Sequence, residues 1–559
     1  ALPSLIAPIV NSATGLGFNV AITLQQSRGL YSSTGSFDNG NHTKQDAGDT
    51  GKWIQKQDWS NGVVMTQGAS AMGMMALLAA GSNPAITTRA SWLFITTNNI
   101  REAFFRQGAL IQGIMGSILL PGYVPPSQVP RAPLALHDSD GPDPFWDPMK
   151  FDDWSSVSFP SLHLTSWFDM FQKGGLRSAQ NYYDHARCAV FFGCSCTLLV
   201  DALGHAGLHS IPTCSGCFPY NQTAQGLISN YHYAIGALLL FTYQHATNSV
   251  IAAGLNVFWA ALTKLIPEKI VFVLGSGGNY LTSFNEWPEV ESEPLYLAPN
   301  ASLSSTPPPS TSISYVYDPA DPAPTFGGWI FQDTNPNDSG SVDQSPLMTR
   351  NDVLHFDGAP LAADLPVCGA LLAKLTVGST ANDTDFIVRL VDQYPTGERF
   401  LVAEGVIRMR WREQGLTPVP MLPGSVYEVS IDMWSACWIF AAGHRVGVDI
   451  TSSSSFMYLP NPNTGLPLEA DGIWPQGGEL YKGKNITATN SVVVGPSKVI
   501  LPVVSKSDLP VMDPLIIPGP TTPPAEEDLM EMGRKAMAYG SQHAQKGHKL
   551  SHRDFLARM

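Results

Sequence analysis

Charged side chains are scarce in this 559-residue chain. Asp, Glu, Lys and Arg make up 14% of it, and the basic ones are outnumbered 32 to 46, for a formal net charge of −14. That composition builds no broad basic surface, so nucleic acid is not an expected partner. Cysteine is sparse as well. The seven, at 188, 194, 196, 214, 217, 368 and 437, are an odd number and leave at least one thiol free or bonded elsewhere. Cys214-Ser-Gly-Cys217 has the spacing of half a zinc knuckle or of a redox pair, but no second Cys pair or close His cluster completes a metal site. A small loop disulfide is therefore expected rather than a metal site. The opening Ala1-Leu-Pro-Ser lacks the basic start of a signal peptide, and the run behind it is broken by Asn11, Ser12 and Thr14. Residues 234–263 hold no Asp, Glu, Lys or Arg, yet Gln244, His245, Thr247, Asn248 and Ser249 interrupt their middle. Two packed helices are expected there rather than a membrane span.

What the chain has in quantity is apolar residues, 44% of the total, enough to bury several cores in two or three domains. Three short islands stand out in the first half: Gln67-Gly68-Ala69-Ser70-Ala71-Met72-Gly73, Ser166-Trp167-Phe168-Asp169 and Leu203-Gly204-His205-Ala206-Gly207. A Ser between close glycines, then an Asp ending an apolar run, then a Gly-flanked His, is the chain order of an α/β-hydrolase triad. The flanks agree. Gly62–Gln67 reads as a strand running into the Ser70 turn, and Met72–Ala80 as the helix behind it. Such a turn lifts the Ser hydroxyl clear of the sheet and points the next backbone N–H, that of Ala71, at the reacting oxygen. Further strands are expected at Gly17–Leu24, Pro160–Thr165, Cys196–Val200 and, as a sheet edge, Lys269–Leu274, with a helical stretch through Asp49–Ile54. Each singled-out residue also has a structural role open to it. Asp169 suits a helix N-cap, His209 competes with His205 as base, His163 inside its strand reads as a satisfied core histidine, and Met72, Met74 and Met75 read as core filling.

The texture changes at about residue 345 to short alternating strands, Asp385–Val391, Val406–Arg412 and Val426–Ile431 among them, with no helices between, which indicates a β-sandwich. Arg408, Arg410 and Arg412 alternate along one strand and are expected to be solvated. The resulting division is α/β-hydrolase core over 1–95, cap over 96–150 (helical at first, then rich in Pro and Gly), core again over 151–345, β-sandwich over 346–507, and a Pro-rich linker with an amphipathic tail over 508–559. Six Asn-x-Ser/Thr sequons, at Asn41, Asn221, Asn300, Asn337, Asn382 and Asn485, make a secreted or lumenal glycoprotein the expectation.

The chain resembles the cocaine esterase/Xaa-Pro dipeptidyl-peptidase family (CocE/NonD-like), which includes the α-amino-acid ester hydrolases. The resemblance runs from residue 17 to about 505 and rests on many ordered matches. Arg28-Gly29, Asp49-Thr50, Trp53-Ile54 and Trp59-Ser-Asn-Gly62 lead to the Ser turn, followed by Phe145-Trp146, Asn285-Glu-Trp-Pro288 and the stretch from Tyr317 to Gly328. In the sandwich half stand Asp352-Val-Leu354, Thr384-Asp-Phe386, Ile431-Asp-Met-Trp434, Gly443-His-Arg445 and Asn461-Pro-Asn-Thr-Gly465. The resemblance implies an α/β-hydrolase domain with a helical cap, followed by a jelly-roll domain. It carries Ser70, Asp169 and His205 onto the family's nucleophile, acid and base, with no metal or organic cofactor. The implied partner is a small ester, amide or peptide substrate, cleaved through an acyl-enzyme.

The sequence departs from the family pattern at Ala71, where Tyr is usual after the nucleophile, at Asp201-Ala202-Leu203, which replaces Gly-Pro-Trp ahead of the His, and at Gln26, where Asp is common. Family members also carry strands and an oxyanion-hole tyrosine ahead of the position matched by Gly17. A separate N-terminal polypeptide completing the sheet is therefore expected, and a homo-oligomer is a further expectation. The alternative to an enzyme is a non-catalytic secreted glycoprotein that uses the same scaffold for assembly or binding.

Overall fold

A computed structural model describes residues 21–29, 33–35, 42–81, 88–111, 144–154, 157, 159–185, 196–205, 216–244, 266–329, 339–415, 417–466 and 485–513. Outside these lie most of the expected cap and the tail, with Cys188, Cys194, Cys214, His209, Asn41, Asn337 and the second half of the apolar stretch at 234–263.

The first layer is a six-stranded sheet. Helix α1 (Thr43–Gln55) precedes strand β1 (Val64–Ala69), which passes directly into α2 (Ser70–Ala80), and β2 (Thr88–Phe94) follows. A small hairpin, β3 (Phe105–Arg106) with β4 (Ala109–Leu110), separates these from β5 (Ser161–Phe168), α3 (Gln172–His185), β6 (Cys196–Gly204), α4 (Gln222–Gln244), β7 (Lys269–Val273) and β8 (Tyr280–Phe284). The order across the sheet is β1-β2-β5-β6-β7-β8, parallel except for β8. Every residue of β5 and β6 is buried, as expected for central parallel strands covered on both faces. β7 is thus interior, with β8 outside it, because the glycine-rich turn at 275–278 returns the chain antiparallel.

Two other expectations are corrected. The described part of the strand predicted at Gly17–Leu24 has no strand structure, and Ile22 and Leu24 are exposed, with no partner strand among the described residues. The helix predicted near residue 96 is a single 3-10 turn, Ile100–Ala103, capped by the Asn99 side chain. Among the described residues β1 has no strand on its outer side, which is where the expected upstream strands would join. No described helix is long and apolar enough to cross a membrane.

The second layer is an all-β domain whose eleven strands form one hydrogen-bonded set. It comprises β9 (Glu291–Ala298), β10 (Ser302–Ser304), β11 (Thr311–Tyr317), β12 (Leu354–Asp357), β13 (Leu365–Ser379), β14 (Asp385–Gln393), β15 (Arg399–Arg408), β16 (Val426–Phe440), β17 (Arg445–Thr451), β18 (Ala488–Val494) and β19 (Lys498–Val503). The set thus takes in strands from Glu291 onward, ahead of the change in texture at 345. β13 and β16 pair along most of their length and are joined by the Cys368–Cys437 disulfide. The two layers meet where Leu274 bridges to Trp438, and where the Gln172 side chain bonds both the N–H and the C=O of Ser435.

Of the three arginines expected to be solvated, Arg408 and Arg410 are buried and Arg412 is half-buried. Arg408, 1% exposed, donates from Nε and Nη2 to Asp385 at 2.9 and 2.8 Å, and Asn461 Nδ2 donates to the same carboxylate at 2.8 Å. Arg410 donates its backbone N–H to Asp383 and its guanidinium to the Leu466 carbonyl, while Arg412 donates to the carbonyls of Met409 and Val419. β15 ends at Arg408, so the three do not share a strand face. This network explains why Thr384-Asp385-Phe386 and Asn461 stand in the sequence: they are halves of one buried ion pair and its amide support. A buried pair deprived of one member leaves an uncompensated charge. Arg408→Ala is expected to lower the unfolding free energy of the β domain by about 3–5 kcal/mol, measured by urea denaturation.

Candidate active site

The turn at Ser70 is built by a backbone under constraint. Ser70 has φ +55°, a left-handed conformation that residues with a Cβ seldom adopt. It is held there from both sides. Its N–H donates to the Ile95 carbonyl at 3.1 Å, and Thr96 Oγ1 donates to its carbonyl at 3.1 Å. The flanking glycines are required by space: a Cβ on Gly68 would fall 2.6 Å from the Gly73 nitrogen, and one on Gly73 would fall 2.7 Å from Thr96 Cβ. Ser70 opens α2. The N–H of Ala71, at the second position of that helix, therefore has no intrahelical acceptor and points where the helix dipole is positive. Met74 is buried behind the turn and Met72 and Met75 are half-buried, in keeping with core filling.

Asp169 follows β5 and His205 follows β6, at the ends of adjacent parallel strands. The carboxylate is fully buried and divided between two donors. Oδ1 accepts the Phe171 N–H at 2.5 Å, and Oδ2 accepts His205 Nδ1–H at 2.7 Å. His205 Nε2 lies 2.8 Å from Ser70 Oγ. Its ring meets Phe171 edge-on, with centroids 5.2 Å apart, so one side of the imidazole is apolar. Asp169 does not cap α3, which begins at Gln172; its carboxylate instead orders the two residues ahead of the helix. His163 sits in the core, and burial pushes it down to about 3, so it is neutral; its Nε2 finds no hydrogen-bond partner among the described residues, which corrects the expectation of a satisfied histidine.

An apolar cluster shared by both layers lies behind the three residues. Met74, Met170 and Phe171 come from the first layer, and Trp329, Trp434 and Met457 from the second. Trp329 and Trp434 stack with centroids 4.5 Å apart, and the Arg106 guanidinium covers Trp434 at 4.4 Å. Trp434 itself has φ +66°, held by its N–H to Asp432 Oδ1. The part played by Phe171 and Gln172, two and three residues after Asp169, escapes sequence reading; their signal is an aromatic and an amide that follow the acidic residue after a single methionine. Among the described residues no cluster of His, Cys, Asp and Glu has a metal-binding arrangement. Cys217 is disulfide-bonded, and Cys196 is free and buried. The sequons at Asn221, Asn300, Asn382 and Asn485 are exposed.

Comparison with known proteins agrees with this architecture. The family described as X-Pro dipeptidyl-peptidase (S15 family) matches residues 16–118, and the X-Pro dipeptidyl-peptidase C-terminal non-catalytic domain matches residues 263–496. A cocaine esterase from Rhodococcus sp. (strain MB1 Bresler) is 26% identical over 553 residues, covering 87% of this chain and 88% of its own. Among solved structures, an α-amino acid ester hydrolase superposes with a TM-score of 0.68 at 21% identity, covering 85% of this chain and 84% of that one. An aminopeptidase from a marine sediment Thaumarchaeota archaeon gives 0.66 at 20% identity, covering 86% and 84%.

The turn geometry makes Gly68 the most sensitive neighbour of Ser70, because the atoms its Cβ would meet belong to backbone. Gly68→Ala is expected to lower kcat/KM by at least about tenfold, equivalent to roughly 1.4 kcal/mol, with circular dichroism unchanged.

Proposed function

We propose that this chain, which belongs to the cocaine esterase/Xaa-Pro dipeptidyl-peptidase (CocE/NonD-like) group of serine hydrolases, cleaves small esters or amides through an acyl-enzyme on Ser70. The observation that carries the reading is the unbroken hydrogen-bonded line from Asp169 through His205 to Ser70. In that line His205 keeps its Nδ1 proton on Asp169 and presents a bare Nε2 to the Ser70 hydroxyl. His205 takes the hydroxyl proton as Ser70 Oγ bonds to the carbonyl carbon, and returns it to the leaving alcohol or amine. Asp169 fixes the tautomer and stabilises the imidazolium. The Ala71 N–H donates to the oxyanion, a contribution typically worth about 3 kcal/mol. Water, deprotonated by the same imidazole, then clears the acyl group.

The substrate reading follows from the walls. Phe171 meets the His205 ring, and the cluster that Phe171 belongs to is aromatic and apolar, which favours an apolar acyl or aryl group over a charged one. An ester is the first choice, since the relative matched over most of both lengths is a cocaine esterase; removal of N-terminal dipeptides is the activity that the peptidase family match brings into consideration. With this reading go a cap over residues 96–150 and a jelly-roll form for the β domain. Secretion into an oxidising compartment is supported by the Cys368–Cys437 disulfide and the four exposed sequons.

A fluorophosphonate probe tests the assignment. The folded protein is expected to be labelled on Ser70, with Ser70→Ala unlabelled and at least about a thousandfold slower in ester hydrolysis. A folded protein that takes no label would defeat the reading. Expression in a glycosylating host is expected to give a mass that falls on treatment with an N-glycosidase; an unchanged mass would argue against the lumenal site.

A further inference from the structure

The strand that carries His205 is irregular at its end. Ser166 of β5 pairs with Asp201 of β6, but Phe168 pairs with Gly204. β5 advances two positions while β6 advances three, so β6 holds one extra residue, a β-bulge, immediately ahead of His205. Bulges bend a strand and re-aim the side chain beyond them, and they leave peptide groups outside the ladder. Here side chains take up both groups of Leu203. Its N–H donates to Asp201 Oδ1 at 2.6 Å, and its carbonyl accepts the Ser166 hydroxyl. Asp201 Oδ2 accepts Nε2–H of Gln225, from α4, at 3.0 Å. Asp201, Ser166 and Gln225 are all buried.

We infer that Asp201, with Ser166, is a positioning residue that clamps the Leu203 peptide and so aims His205 at Ser70 and Asp169. This rests on the reading of His205 as the base. Nothing in the packing of β6 asks for an ion here, since the residues around it in the strand are apolar and buried. A carboxylate at this place is costly. Burial pushes Asp201 up to about 6, the Leu203 N–H and the Gln225 amide hold it back, and the charge of Asp169 adds to the rise. The titratable groups in electrostatic contact with it are Asp169, at the end of β5, and Tyr220, just ahead of α4. Because the folded-state value is raised, ionising Asp201 costs stability, and that cost appears as pH rises from the ordinary carboxylate range through about 6.

The arrangement also determines what protonation does. A proton on Oδ2 would face the Gln225 amide N–H, so one contact of the clamp is lost unless the amide turns. Gln225 Oε1 is buried with no hydrogen-bond partner among the described residues, and rotation of the amide would bring it to the proton. Asparagine at position 201 can use that alternative: its Oδ1 keeps the Leu203 N–H, and its Nδ2 donates to the turned amide.

The test compares kcat, KM and pH profile for an activated ester in the full-length protein and in Ser70→Ala, Asp201→Ala, Asp201→Asn and Ser166→Ala. Asp201→Ala is expected to lose at least about tenfold in kcat with KM changed less than about threefold, and Ser166→Ala to move in the same direction. Asp201→Asn is expected to recover kcat to within about threefold of the unsubstituted protein at pH 8. Unchanged kcat in Asp201→Ala would overturn the inference, as would a kcat in Asp201→Asn as low as that of Asp201→Ala. If Asp201→Ala does not fold, Ser166→Ala decides, and an unchanged kcat there would overturn the inference. Activity surviving in Ser70→Ala would instead overturn the triad itself.

Discussion

One imidazole ties the molecule's chemistry together. His205 spans a buried carboxylate at the end of β5 and a strained hydroxyl at the end of β1, and both contacts are short. The constraint reaches well beyond the three residues. For a single ring to touch both, β1, β2, β5 and β6 must bring their carboxyl ends to one rim, with one strand between the Ser and the Asp. The Ser must also leave its strand in a left-handed conformation, and the His must leave its own through a bulge. Gly68, Gly73, Thr96, Ser166 and Asp201 are the residues that make those two departures possible.

The β domain takes part in this arrangement. Gln172, three residues after Asp169, is fastened to β16 through Ser435, and Trp329 and Trp434 close the apolar cluster beside Phe171. The apolar cluster beside the candidate site is therefore shared between the layers. Buried ion pairs such as Arg408–Asp385 and Arg389–Glu404 fix partners within the second layer. Pairs of this kind add little net stability but are expensive to break, so they favour one register of the strands over its neighbours.

What could be read from sequence was what is local. Ser70, Asp169 and His205 were legible because each sits at a junction with its own signature: a Gly-x-Ser turn, an apolar run ending in Asp, a Gly-His pair. The buried arginines were not, because alternating charge along a strand looks the same whether its partner is water or a carboxylate more than twenty positions away. The first three strands of the β domain, β9 to β11, lie in a Pro- and Ser-rich stretch that a division at the change of texture near residue 345 leaves with the hydrolase core. Asp201 carries a signal, an acid inside the apolar run Cys196–Leu203, which sequence alone shows only as a departure from Gly-Pro-Trp. Its role depends on a bulge, and a bulge is a property of two strands together.

The central claim is that Ser70 becomes covalently acylated during turnover. The most direct measurement is intact and peptide mass spectrometry of the protein quenched in acid shortly after mixing with a slowly deacylated activated ester. An added mass equal to the acyl group, on the peptide that contains Ser70 and absent from Ser70→Ala, is the predicted result. Hydrolysis that proceeds with no acylated protein, and at an undiminished rate in Ser70→Ala, would contradict it.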